Sequence, residues 1–213
     1  MPSLIDIRRR IKSVKNTRQI TKAMKMVSAA KLRRAQDRVI AARPYASSMQ
    51  RMLANVARAV EDQNEGELNP LLARRPEQRV QILLVTADRG LAGAFNANVI
   101  RSTQKFMAER PDVKFLMELI GRKGRDFFSR RHPDITGQHT TLFQNVKYDD
   151  AKAIAESVIE RFTRAEIDSV YIMVNHFKSV LAPELRLEKI LPVELPKESQ
   201  HVDYITPARD DQK

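Results

Sequence analysis

Two glycine-bearing segments are where this chain could hold a ligand. Gly90 and Gly93 follow an apolar run and precede a helical stretch, the arrangement of a phosphate cradle. Phosphates demand close approach of backbone amides, so nucleotide-binding loops carry Gly-x-Gly-x-x-Gly or end in Gly-Lys-Ser/Thr. The segment Ala87-Asp88-Arg89-Gly90-Leu91-Ala92-Gly93-Ala94-Phe95-Asn96 has neither pattern, which favours a structural tight turn. Leu119-Ile120-Gly121-Arg122-Lys123-Gly124 has the Gly-x-x-Gly spacing of an RNA-clamping KH loop. A KH loop joins two helices, whereas a strand-like run precedes these glycines. The four histidines, His132, His139, His176 and His201, show no metal-ligand spacing and no accompanying carboxylate pattern. Asp88 beside Arg89 reads as a turn-capping ion pair. The chain has no cysteine, which excludes disulfides, thiol chemistry and cysteine-bound metals. It has no Gly-x-Ser-x-Gly nucleophile motif either. No catalytic residue, cofactor site or metal site is expected.

The elements that would position these residues fall into two regions of different charge. The 213 residues carry a net charge of +12. Leu4 to Val60 holds fifteen Lys and Arg against two acids, Asp6 and Asp37, a net of +13, and the rest of the chain is near neutral. A basic segment beside a neutral domain implies an acidic partner: nucleic acid, anionic lipid or an acidic protein surface. The longest apolar runs, such as Ile82 to Val85, are far shorter than the ~20 residues of a membrane-spanning helix.

The basic segment reads as one long helix. Leu4, Ile7, Ile11 and Val14, then Leu32, Ala35, Val39, Ala42, Ala46, Met49, Leu53, Val56 and Val60, recur in steps of three and four. No glycine occurs before Gly66, and Ser3 with Asp6 forms a capping box. From Leu4 to Val60 such a helix reaches roughly 85 Å. The seam slips between Thr17 and Lys31, where Ile20, Met24 and Val27 are apolar amid Arg18, Lys22, Lys25 and Lys31. Pro44 removes a backbone donor and is expected to kink or split the helix. A two-helix hairpin turning at Pro44 is the rival reading, although Arg43-Pro44-Tyr45 lacks the usual turn residues. The helix has no partner of similar length within the chain, so its seam is expected to be open or filled by another chain.

Beyond a linker at 61–76, strands alternate with helices over 77–195, which predicts a mostly parallel sheet flanked by helices. Strands are expected at Val80–Thr86, Val113–Ile120 and Ser169–His176, with an edge strand at Leu185–Leu191. Helices are expected from the glycine loop to about Arg110, at Lys123–Arg131 and at Asp149–Arg164. Residues 196–213 read as a tail.

Lys15-Asn16-Thr17-Arg18-Gln19-Ile20-Thr21-Lys22-Ala23-Met24-Lys25-Met26-Val27-Ser28-Ala29-Ala30-Lys31-Leu32 resembles the signature of F-type ATP synthase gamma subunits. Arg43-Pro44-Tyr45, the Thr86–Asn96 block, Ile120-Gly121-Arg122-Lys123-Gly124 and Tyr171-Ile172-Met173-Val174-Asn175-His176-Phe177 match that family in order. The resemblance implies an α/β fold: a shaft helix of coiled-coil type at 1–60 and a Rossmann-like foot domain at 77–195. It implies a non-catalytic central-stalk subunit that couples c-ring rotation to ATP synthesis or hydrolysis. The implied partners are the alpha and beta subunits, the epsilon subunit and the membrane c-ring, at the cytoplasmic face of a bacterial membrane. No direct nucleic-acid or small-molecule ligand is implied. Arg18, Lys22, Met24, Lys25, Met26 and Lys31 are the implied head-contact or coupling positions. Asp88, Arg89, Gly90, Gly93 and Asn96 form the foot motif, and Asp203 and Tyr204 fall on the c-ring side. The sequence as it stands stops before the family's second shaft helix. The alternative from another class is a basic nucleic-acid-binding protein using the long helix and the Gly121–Gly124 loop.

Overall fold

The computed structural model describes residues 3–62, 69–131, 134–179 and 183–193. The chain divides into two units, Met1–Gln63 and Asn64–Lys213.

The first unit is a single helix, α1, Leu4–Asp62, of 59 residues. At 1.5 Å per residue it is about 88 Å long. Its start is the expected capping box: the Ser3 amide donates to Asp6 Oδ2 at 3.2 Å and the Asp6 amide to Ser3 Oγ at 3.3 Å. Pro44 lies inside this helix and does not split it, so the hairpin reading is overturned. A proline removes one ladder bond, while the turns on either side keep theirs and propagate cooperatively. Ser47 Oγ donates to the Pro44 carbonyl at 2.9 Å, a local tie just beyond the proline.

The second unit is a five-stranded sheet in the order β3-β2-β1-β4-β5. Its strands are β1 Arg79–Val85, β2 Lys114–Ile120, β3 Ile135–His139, β4 Ser169–Phe177 and β5 Pro183–Leu191. The first four are parallel, and β5 closes the far edge antiparallel to β4. The helices are α2 Phe95–Ala108, α3 Arg122–Phe128 and α4 Tyr148–Thr163. Val80, Ile82 and Leu84 of β1 pack with Val99 and Phe106 of α2 and Phe128 of α3. Leu83 points the other way, into a cluster with Ile154, Val158 and Phe162 of α4. Strand β1 is therefore buried on both faces, which is why its sequence is a continuous apolar run. The α/β class and the mostly parallel sheet stand as expected. Strand β3 is an addition to the expected strands, because Ile135-Thr136-Gly137-Gln138-His139 has neither apolar alternation nor an apolar run.

Several polar side chains anchor the loops at the strand starts. Arg75 donates to the carbonyls of Phe162 (2.9 Å) and Ile167 (3.3 Å), and its guanidinium stacks 4.9 Å from the Phe162 ring. Glu77 joins the loop before β1 to the antiparallel edge. Its Oε1 accepts from Tyr171 Oη at 2.8 Å and lies 2.9 Å from Lys189 Nζ. Partial burial pushes the Glu77 carboxyl up, but the hydrogen bonds from Lys189 and Tyr171 outweigh it and hold the group below its ordinary value of 4.5. A carboxyl lowered by folding adds stability above its unfolded value, and that contribution is lost as pH falls through the lowered one. Thermal unfolding of wild type and Glu77→Gln between pH 7 and 3 checks this. The gap in Tm is expected to be constant above 4.5 and to close below it. A gap that is independent of pH removes Glu77 from the acid response.

Candidate coupling helix and foot loops

All six expected contact positions, Arg18, Lys22, Met24, Lys25, Met26 and Lys31, are exposed on α1. Met24 is 56% exposed and Met26 65%. The seam residues around them, including Ile20 and Val27, are also exposed. Thr17 and Thr21 turn their hydroxyls back to the carbonyls of Ser13 and Arg18, both at 3.0 Å. The surface is thus a mixture of flexible methionines, aliphatic carbons and cationic side chains. Unbranched methionine adapts to changing neighbours, and exposed charge pairs contribute only about 0–1 kcal/mol each. Such a surface suits contact without a single locked orientation.

The glycine loops interlock with each other. Asn96 Oδ1 accepts from the Ala87 amide at 2.9 Å, and the Phe95 amide donates to the Ala92 carbonyl at 3.2 Å. Asp88 does not cap its own turn with Arg89 as expected. Its Oδ1 accepts from the Arg122 amide at 3.0 Å, capping α3 from the neighbouring loop. Thr86 Oγ1 accepts from the Gly124 amide at 2.8 Å, and the Lys123 amide donates to the Ala87 carbonyl at 3.1 Å. These amides are committed within the fold. Gly93 has φ +55, a conformation that L side chains rarely adopt, while Gly90 has an ordinary φ and open space beside Lys123. Leu91, at φ 62, stands fully exposed at the loop tip.

The Gly121–Gly124 pair is set by close packing. Gly121 is the N-cap of α3 with φ 99, and a Cβ there would lie 2.0 Å from the Thr86 carbonyl oxygen. A Cβ on Gly124 would meet Thr86 Oγ1 at 3.0 Å and Leu84 Cδ2 at 3.1 Å. Strand β2 precedes the pair, so it is a strand-to-helix turn and lacks the two flanking helices of a KH clamp.

The doubly wound sheet changes direction between β1 and β4, where open α/β sheets place their ligand crevice. A groove of about 560 Å³ lies between α2 and the β4–β5 edge, lined among others by Phe95, Asn98, Arg101, Lys105, Asn175 and Leu185. Lys105 is 3.8 Å from Glu109, an exposed i,i+4 pair. Asp203 and Tyr204 lie outside the described residues, as do His132 and His201.

One polar site has no counterpart in the sequence motifs. His139 Nε2 lies 2.6 Å from Glu118 Oε1, so this histidine does have a carboxylate partner, contrary to expectation. The two are 21 positions apart on neighbouring strands, and no local spacing signals them. A Glu within the otherwise apolar run from Phe115 to Ile120 is the sign the sequence carries.

The first unit is thus a long exposed helix of basic and apolar character, and the second a doubly wound α/β domain. A family model described as ATP synthase matches residues 3–213. The chain is 56% identical over 205 residues to the ATP synthase gamma chain of Solibacter usitatus, covering 96% of this chain and 72% of that one. It is 48% identical over 202 residues to that of an Anaeromyxobacter species, covering 93% and 69%. Among solved structures, the central stalk and c-ring of Tetrahymena thermophila mitochondrial ATP synthase matches with a TM-score of 0.64 at 29% identity, over 81% of this chain and 72% of that chain. The Euglena gracilis mitochondrial rotor matches at 20% identity with a TM-score of 0.51, a likeness of fold. The chain belongs to the ATP synthase gamma-chain family and is a central-stalk subunit. Among the described residues no helix is long and apolar enough to cross a membrane.

Proposed function

We propose that the chain is a non-catalytic rotor subunit. It transmits rotation between a membrane c-ring and the catalytic sites of an alpha/beta head, with an epsilon subunit as a further partner. The observation that carries this reading is the 59-residue helix α1, with its exposed seam and cationic flanks. A rotating shaft must meet several copies of one acidic surface in turn, and a helix of weak, interchangeable contacts does so without stalling. Arg18, Lys22, Met24, Lys25, Met26 and Lys31 are the proposed contact positions, and Asp203 with Tyr204 the proposed c-ring side. The cytoplasmic face of a bacterial membrane is the proposed location.

Co-expression with the alpha and beta subunits of a bacterial relative tests the reading. A purified complex containing all three chains and hydrolysing ATP is expected. Failure to co-assemble, together with tight and strongly salt-dependent RNA binding by the chain, would instead establish the nucleic-acid alternative. In a complete complex, Met24→Lys places a further cation in the slipped seam. It is expected to cut ATP-driven proton pumping at least twofold while ATP hydrolysis changes little. Unaltered pumping per ATP removes Met24 from coupling.

A further inference from the structure

The polar site beneath α4 is built around an irregularity in the sheet. Strand β3 pairs Ile135 with Met117 and Gly137 with Glu118, so Thr136 is an extra residue bulged out of the ladder. Glu118 shares the α4 face of β2 with Leu116 and Ile120, and it is 3% exposed. Its carboxylate accepts from Thr136 Oγ1 at 2.8 Å and from Gln81 Nε2 at 3.0 Å, and it meets His139 Nε2 at 2.6 Å. The carboxylate thus ties the edge strand on both sides of Gly137. A Cβ on Gly137 would lie 2.0 Å from Glu118 Oε1, so the bulge and the glycine together make room for the buried acid.

Two complementary atoms of this cluster have no partner among the described residues. Gln81 is fully buried, and the carboxylate forces its amide nitrogen toward Glu118, which turns Oε1 away as an acceptor without a donor. Arg161, from α4, donates from Nη2 to the Thr136 carbonyl at 3.4 Å, while its buried Nη1 has no acceptor. Both side chains meet the same residue, since Gln81 Nε2 also lies 3.2 Å from Thr136 Oγ1. A buried donor and a buried acceptor left unpaired are each costly, and a water can accept from one group while donating to another.

We propose that this pocket is an internal hydration site. One water accepts from Arg161 Nη1 and donates to Gln81 Oε1, completing a polar latch that holds strand β3 to the sheet through Thr136. Arg161 reaches the edge strand from the helix layer, so the latch joins α4, β1, β2 and β3 at a place where the sheet has lost a regular ladder bond.

A high-resolution structure of the full chain is expected to show one ordered water within hydrogen-bond distance of both atoms. In Arg161→Met that water is expected to be lost. Hydrogen exchange of the amides at Ile135–His139 is then expected to quicken about tenfold while the β1 amides are unchanged. Arg161→Lys, which retains a donor, is expected to restore most of the protection. A direct Gln81–Arg161 bond, or a dry pocket, in the wild-type structure overturns the proposal. So does unchanged β3 exchange in Arg161→Met, or an equal rise in the β1 amides, which would make the effect global.

Discussion

Replacing Gly121 with alanine is expected to destabilise the α/β domain by about 3–5 kcal/mol, most of the margin of a typical domain. Two costs combine. The backbone at φ 99 is one that L side chains rarely adopt, and the new Cβ would lie 2.0 Å from a backbone oxygen of Thr86, which no rotamer change relieves. The Thr86 backbone, just past β1, cannot retreat, because its amide donates to the Ile120 carbonyl at 2.8 Å and the β1 residues before it are buried on both faces. The Gly121 amide also donates to the His139 carbonyl at 2.7 Å, so a displaced turn pulls on β3 as well. Denaturant unfolding followed by tyrosine fluorescence reads the loss, since Tyr171 packs on the core cluster and the chain has no tryptophan. Two controls separate the causes. Gly93→Ala, with φ +55 but open space, isolates the backbone term at about 1–2 kcal/mol. Gly90→Ala, with neither strain nor clash, is expected within about 0.5 kcal/mol of wild type. Equal effects at the three glycines would refute the steric account.

Asp168→Ala is the second large expected effect, a loss of about 2–4 kcal/mol. Asp168 is 4% exposed, and its carboxylate accepts from the Arg79 amide at 2.7 Å, the Gln78 amide at 3.2 Å and Arg79 Nη2 at 3.1 Å. The Asp168 amide returns a bond to the Arg79 carbonyl at 2.8 Å. This one side chain thus fixes the entry of β1 against the entry of β4, the two central strands. Alanine leaves the Arg79 amide without its acceptor, while the Gln78 amide keeps the Pro76 carbonyl at 2.9 Å. Because the Arg79 side chain is 43% exposed, the ion pair itself contributes little, and the bond to the Arg79 amide dominates. Arg79→Met is therefore expected to cost well under half as much as Asp168→Ala in the same unfolding experiment. The reverse order would show that the charge pair, and not the amide caps, holds the strands.

The elements with a strong local period are legible in the amino-acid order alone. The seam of α1, unbroken by glycine, marks one long helix, and the capping box at Ser3 and Asp6 marks its start. The run Val80–Val85 marks the central strand because a strand covered on both faces has no polar alternation. The signature around Met24 marks the family. Strand β3 is not legible in this way. Its polar and glycine-containing sequence is a strand only because the edge of β2 offers bonds and Glu118 offers an acceptor for Thr136 and His139. Nor is the purpose of the glycines. Gly121 and Gly124 are spaced like a ligand loop, but a Cβ on Gly121 is forbidden by Thr86, 35 positions away, and one on Gly137 by Glu118, 19 positions away.

By itself the sequence determined the long helix, the α/β class and membership of the gamma-chain family, since each rests on patterns within a few turns or a few strand residues. Only the tertiary structure decided that Pro44 lies within an unbroken helix, that the glycine loops interlock, and that a buried carboxylate latches the edge strand. Those outcomes depend on which distant backbone and side-chain atoms come within about 3 Å, and hydrogen bonding and steric exclusion at that range are set by packing and not by spacing along the chain.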